Sequence, residues 1–62
     1  MKIKPGMFLR NKFTPDDVVV RVVRVLERTP EKTVFVGQWV GYGLEQEVVI
    51  TKETEGSWVE SL

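Results

Sequence analysis

The sequence predicts a small all-β domain, built as a five-stranded barrel or a strongly bent antiparallel sheet. Residues 17–28 hold six valines and one leucine, and β-branched side chains favour a pleated strand over a helix. Elsewhere, short strand-forming segments alternate with turns that contain proline or glycine, a pattern typical of small barrels and sheets. No stretch of about ten residues shows the 3.6-residue apolar period of a helix.

The longest predicted strand, residues 17–28, must bend. Fully extended, it would span about 35 Å, which is too long for one flat strand in so small a domain. Arg21 and Arg24 have opposite parity, so a regular two-residue period cannot hold both on one face. Either both faces are buried, or a one-residue bulge at Val22–Val23 shifts the register, and we expect the bulge. The predicted inward set is Val18, Val20, one residue of the Val22–Val23 pair, Val25 and Glu27; the outward set is Val19, Arg21, Arg24, Leu26 and Arg28.

Four shorter strands complete the predicted sheet. Met7–Phe13 is expected to point its odd residues inward, including Phe13, which leaves Phe8 on the polar face. Proline turns at residues 14–17 and 29–32 flank the long strand. The remaining predicted elements are a third strand over Thr33–Val40, a Gly41-Tyr42-Gly43 turn, a fourth strand over Leu44–Lys52, and Ser57–Leu62 as a last short strand or a single helical turn.

The composition argues against an enzyme. The chain has no histidine and no cysteine, which removes the commonest general base, the commonest transition-metal ligand and every thiolate. The acidic pairs Glu45/Glu47 and Glu53/Glu55 could serve acid–base chemistry or bind a hard cation. Acids two residues apart on an exposed strand more often discourage edge-to-edge aggregation. We therefore expect no catalytic site, no metal and no cofactor.

The sequence shows neither a signal peptide nor a membrane span. Its first residues lack an apolar run, and nowhere do about 18 apolar residues follow one another. The absence of cysteine fits a reducing compartment. The expectation is a single cytoplasmic domain over residues 1–62 with no membrane partner.

Charge is divided between the two halves of the chain, although the net charge is zero. Residues 1–28 carry seven bases and three acids, whereas residues 29–62 carry two bases and six acids. Basic side chains beside an exposed aromatic ring are what single-stranded nucleic acid binding uses, because cations track phosphates and rings stack on bases. The candidate residues for such a face are Phe8, Arg10, Lys12, Arg21 and Arg24. The zero net charge disfavours nucleic acid as the partner, and the arginines would also keep a valine-rich strand from self-pairing.

Aromatic residues supply the second candidate site. The chain has two tryptophans, one tyrosine and three phenylalanines, and tryptophan and tyrosine anchor many protein interfaces. Tyr42 lies between two glycines, and Trp39 precedes it by three positions. The predicted partner-binding patch is Trp39, Tyr42, Glu45 and Glu47. Burial of Trp39 and Trp58 in the core is the alternative, since so small a domain needs large apolar side chains.

The order of these segments resembles that of SH3-like barrels. The residues that carry the resemblance are Lys4-Pro5-Gly6-Met7, the valine-rich second strand, Val34-Phe35-Val36 and the closing segment with Trp58. Within that fold, the chain resembles the small stand-alone barrels of bacteria and phages, many of which have unknown functions. It lacks the Ala-Leu-Tyr-Asp-Tyr strand and the Trp-Trp pair of eukaryotic peptide-binding domains of that fold. The resemblance implies a fold, and a fold does not fix a function.

Three functions follow as hypotheses. The first is a non-enzymatic binding module that recognises a protein or peptide partner through the aromatic patch. The second is nucleic acid binding through the basic face. The third is a structural subunit that forms a homodimer through an open strand edge.

Overall fold

The computed structural model describes residues 1–15 and 18–61. Asp16, Asp17 and Leu62, and with them half of the predicted 14–17 turn, lie outside the described residues. The all-β prediction is confirmed, with strands β1 (Phe8–Asn11), β2 (Val20–Arg28), β3 (Lys32–Trp39), β4 (Glu45–Thr51) and β5 (Trp58–Ser61), and a 3₁₀ turn at Glu55–Ser57. The final segment combines both predicted forms, since the 3₁₀ turn leads directly into β5.

The five strands form one antiparallel sheet in the order β4-β3-β2-β1-β5. Within residues 1–15 and 18–61, no ladder joins β4 to β5. The sheet is therefore open, and β4 and β5 are its edge strands. In the same part of the chain, no helix is long and apolar enough to cross a membrane.

The predicted bulge in β2 is confirmed. Val22 pairs with Gly37 and Arg24 pairs with Val36, so Val23 is the extra residue. A second register shift follows between Val25 and Glu27. Bulges bend a strand and increase its twist. The two register shifts in β2 therefore bend the sheet along this strand.

The second shift corrects the predicted position of Glu27. This residue was expected to point inward, but it pairs with Val34 and is exposed. Its carboxylate lies 3.8 Å from Nζ of Lys32. An inward Glu27 would have buried a charge at the end of the core, and the extra residue in β2 avoids that cost.

The core lies on the inner face of the bent sheet. Its fully buried side chains are Leu9, Val20, Val22 and Phe35, and Ile3 and Ile50 extend the cluster. Half-buried Met7, Val25, Val48, Trp39 and Trp58 pack against this cluster. The inward prediction for Phe13 is wrong: β1 ends at Asn11, and Phe13 lies in the following turn with 83% of its surface exposed.

The N-terminal segment docks against β2 through backbone and side-chain hydrogen bonds. Gly6 N–H donates to Val22 O at 2.8 Å, and Val22 N–H donates to Met7 O at 2.8 Å. Arg28, at the far end of β2, donates from Nη2 to the carbonyl oxygen of Ile3. These bonds hold the buried Ile3 side chain in the core.

Candidate functional site

A groove occupies the open side of the sheet, between edge strand β4 and the residues where β1 ends and β5 begins. It encloses about 360 Å³, within the usual size range of ligand sites. We call it the tryptophan groove and define it by its lining residues: Asn11, Thr14, Val18, Trp39, Gln46, Glu47, Val48, Val49 and Trp58.

Trp39 forms one wall of the tryptophan groove from the end of β3. It lies on the same face of that strand as Phe35 and Gly37, so its ring points toward the inner side of the sheet. Its indole Nε1 donates a hydrogen bond to Oε1 of Gln46 at 2.9 Å. This bond fixes the ring plane, and the half-buried indole keeps a surface that a ligand can contact.

Trp58 forms the opposite wall, and a tight turn sets its position. Thr51 N–H donates to Oγ1 of Thr54 at 2.9 Å, and Ser57 N–H donates to Thr54 O at 3.0 Å. The chain then enters β5, where Trp58 pairs with Asn11 of β1. The two tryptophans thus come from distant parts of the sequence and line the same groove.

The lining has a mixed chemical character. Two indole rings and Val48 supply apolar surface, while the amides of Asn11 and Gln46 supply hydrogen-bonding groups. Glu47 and Val49 border the groove along the edge of β4. Such a site suits an apolar side chain that arrives with its own polar backbone, because rings bury the side chain and amides pair with the backbone.

Two of the four residues of the predicted patch line the tryptophan groove. Trp39 and Glu47 line it, and Glu45 lies two positions along β4 from Glu47 on the outer face. Tyr42 lies at the tip of the turn between β3 and β4, with 78% of its surface exposed. Tyr42 is not one of the described residues that line the tryptophan groove.

Most of the basic candidate residues lie on the outer face of the sheet. Phe8 of β1 pairs directly with Arg21 of β2, and Phe8 is 40% exposed. Nη2 of Arg21 donates to Oε1 of Gln38 at 3.0 Å. We call this pair and its surroundings the Phe8–Arg21 surface.

The other three basic candidates lie around the Phe8–Arg21 surface rather than within it. Arg24 is exposed opposite Val36, beyond the bulge of β2. Arg10 pairs with Val59 of β5, and Lys12 follows the last residue of β1. The side chains of Arg10, Arg21 and Arg24 therefore share the outer face on β1 and β2, whereas Lys12 lies in the turn after β1.

The residues that sequence reasoning missed are Trp58, Gln46, Asn11 and Thr14. Only the abundance of tryptophan hinted at Trp58, since the approach of β5 to the open side of β4 is a long-range feature. For the acidic residues, the described part of the chain holds no group of three that could bind a metal ion.

No protein-family model, no curated protein and no solved structure matches this chain.

Proposed function

We propose that the chain is a non-enzymatic binding module that recognises a peptide segment of a protein partner through the tryptophan groove. The observation that carries this proposal is the pair of half-buried indoles, Trp39 and Trp58, on the two walls of a cavity of about 360 Å³. The cavity opens beside an unpaired strand edge. The bulged second strand and the five short antiparallel strands also support an SH3-like barrel as the fold.

Half-buried tryptophans are suited to binding because they are already ordered. Trp39 is held by its hydrogen bond to Gln46, and Trp58 by the turn before β5. A ligand that covers them loses little side-chain entropy from the protein. Large aromatic anchors in preformed pockets carry much of the energy of known interfaces.

The experiment is to select peptides from a random library with the purified protein and to measure their affinity for variants. Trp58→Leu and Trp39→Phe replace the indole side chains of the groove walls with smaller side chains that still pack as apolar groups. We expect Trp58→Leu to weaken binding by about tenfold or more. Phe13→Ser removes an exposed aromatic that lies outside the groove, so this control should keep wild-type affinity.

Two results would contradict the proposal. One is a selection that yields no peptide ligand for the wild-type protein. The other is a set of ligands that bind the folded Trp58→Leu variant as tightly as the wild type. Circular dichroism and a thermal midpoint for each variant separate loss of binding from loss of folding.

Nucleic acid binding is a second candidate function, because Phe8 and Arg21 are direct neighbours on the outer face. A ring beside a guanidinium offers stacking and phosphate contact together. If this surface binds single-stranded oligonucleotides, affinity should fall steeply with salt, and Arg21→Gln should lower both affinity and salt slope. No shift of a labelled oligonucleotide at about 50 mM salt would exclude this function.

A further inference from the structure

We propose that the ligand of the tryptophan groove binds as an added strand on the edge of β4, with apolar and basic side chains in alternation. This inference rests on the proposed peptide-binding function and specifies its chemistry. Addition of an extended peptide to a sheet edge is a common recognition mode, in which backbone hydrogen bonds give affinity and alternate side chains give specificity.

The backbone of β4 offers a defined set of hydrogen-bonding groups. Trp39 N–H donates to Leu44 O, and Lys52 N–H donates to Glu31 O, so these two pairs are hydrogen-bonded positions at opposite ends of the β3–β4 ladder. Hydrogen-bonded pairs alternate along an antiparallel ladder, and the register between the two ends is regular. The intervening Gln46, Val48 and Ile50 therefore turn their backbone groups toward β3.

The other residues of β4 turn their backbone groups away from β3. These residues are Glu45, Glu47, Val49 and Thr51. Thr51 N–H is already bonded to the hydroxyl of Thr54, which closes that end of the edge. Glu45, Glu47 and Val49 remain, and they present a strip about 14 Å long that matches a ligand of about five extended residues.

The side chains of β4 define what the added strand must carry. The side chains of Gln46 and Val48 face the inner side, and those of Glu45, Glu47 and Val49 face the opposite side. Gln46 and Val48 line the tryptophan groove, and Glu47 and Val49 border it along the strand edge. Ligand residues opposite the glutamates would lie on the outer face beside a carboxylate. The residues between them would point into the groove, between the two indoles.

Charge complementarity selects a basic ligand. Among the described residues, neither Glu45 nor Glu47 forms an ion pair, and both are exposed. Lysine or arginine opposite these positions would form favourable cross-strand pairs. A second copy of this chain fits less well, because full overlap of two β4 edges would place Glu47 directly against its own counterpart, and like charges in that position are destabilising.

The test compares two capped heptapeptides of equal composition. In one, lysine and leucine alternate; in the other, the lysines are grouped at one end. We expect the alternating peptide to bind at least about tenfold more tightly, because only this order places every leucine on the groove side. Glu47→Lys should remove much of the preference for the alternating peptide. Glu53→Lys, on the turn after β4, should leave that preference unchanged.

Backbone methylation identifies the binding mode. Two versions of the alternating peptide carry N-methyl groups on its odd or on its even amides. An added strand directs only one of these sets toward β4, so one version should lose binding and the other should stay within about threefold. Amide hydrogen exchange of Glu47 and Val49 should also slow in the complex.

The experiments distinguish strand addition on β4 from peptide binding in the groove by another mode. If library peptides bind and Trp58→Leu weakens them, but residue order and methylation pattern have no effect, strand addition is wrong and groove binding stands. If no library peptide binds, the proposed function fails, and strand addition fails with it. Concentration-dependent dimerisation that protects the amides of Glu47 and Val49 without peptide would assign the edge to a second copy instead.

Discussion

The indole Nε1 of Trp39 donates a hydrogen bond to Oε1 of Gln46 at 2.9 Å and so joins the end of β3 to the start of β4. Gln46 pairs with Gly37, which has no side chain to stand between the two partners. The amide therefore reaches diagonally across the ladder to the indole. This contact connects the stability of the sheet to the geometry of the tryptophan groove.

Removing the acceptor at position 46 should loosen Trp39. Gln46→Leu leaves the indole N–H without its partner, and we expect the free energy of unfolding to fall by about 0.5–1 kcal/mol, as for an exposed hydrogen bond. Gln46→Glu keeps an acceptor oxygen and is the matched control. Urea unfolding measures the change, and exchange of the indole N–H of Trp39 should accelerate in the leucine variant alone. Equal exchange rates in both variants would contradict this role for Gln46.

Gly37 should tolerate no side chain. A Cβ at this position would overlap Cγ2 of Val20 and lie 3.2 Å from Cε2 of Phe35 and 3.3 Å from Cγ2 of Val48. Because these neighbours belong to the packed inner face, Gly37→Ala should destabilise the protein by about 1–3 kcal/mol. The measurement is chemical denaturation of the wild type and the variant.

Two further variants separate crowding from a general effect of alanine. At Gly56, a Cβ meets nothing within 4 Å and φ is not positive, so Gly56→Ala should be neutral or slightly stabilising. Val20→Ala removes the methyl group that causes the overlap at residue 37. The double variant Val20→Ala/Gly37→Ala should therefore lose less stability than the sum of the single variants. Strict additivity would show that the close approach of Val20 is not the cause.

The sequence predicted the bend of β2 because charge parity is a local signal. Arg21 and Arg24 cannot share a face of a regular strand, and the structure resolves the conflict by making Val23 the extra residue. The second shift, at Val25–Glu27, was not predicted, although a single bulge puts the charged Glu27 inward and the apolar Leu26 outward. Phe13 was misplaced because β1 ends two residues earlier than its apolar pattern suggested.

The tryptophan groove was only partly predictable. The aromatic character of Trp39 and the acidic character of Glu47 predict their place in a binding patch, and both residues line the groove. Trp58 could not be assigned, because its position depends on the pairing of β5 with β1 and on the open side facing β4. The alternation of side chains between the two faces of a strand can be predicted from neighbouring residues. The approach of two sheet edges depends on the curvature of the whole sheet.

Arg28 should hold the N-terminal segment in place. Its Nη2 donates to the carbonyl of Ile3, whose side chain is buried. Arg28→Leu should lower the free energy of unfolding by about 1 kcal/mol, because a bond to a charged donor is lost. Arg24→Leu removes the same charge from an exposed position and should change stability by no more than about 0.5 kcal/mol. Equal effects of the two variants, or unchanged amide exchange at Gly6 in Arg28→Leu, would exclude this role.

Replacement by lysine should affect stability differently at the two adjacent valines of β4, Val48 and Val49. Val48 packs against the core from the inner face, whereas Val49 belongs to the outer face and is 47% exposed. Val48→Lys should destabilise the fold by about 2 kcal/mol or more, because its ammonium group must leave the inner face at the cost of packing. Val49→Lys should leave stability nearly unchanged and reduce self-association, since a lysine on an edge strand discourages pairing with another chain. Thermal unfolding and sedimentation velocity at several concentrations measure both effects. Similar destabilisation by the two lysines would mean that β4 does not hold the register on which the strand-addition proposal depends.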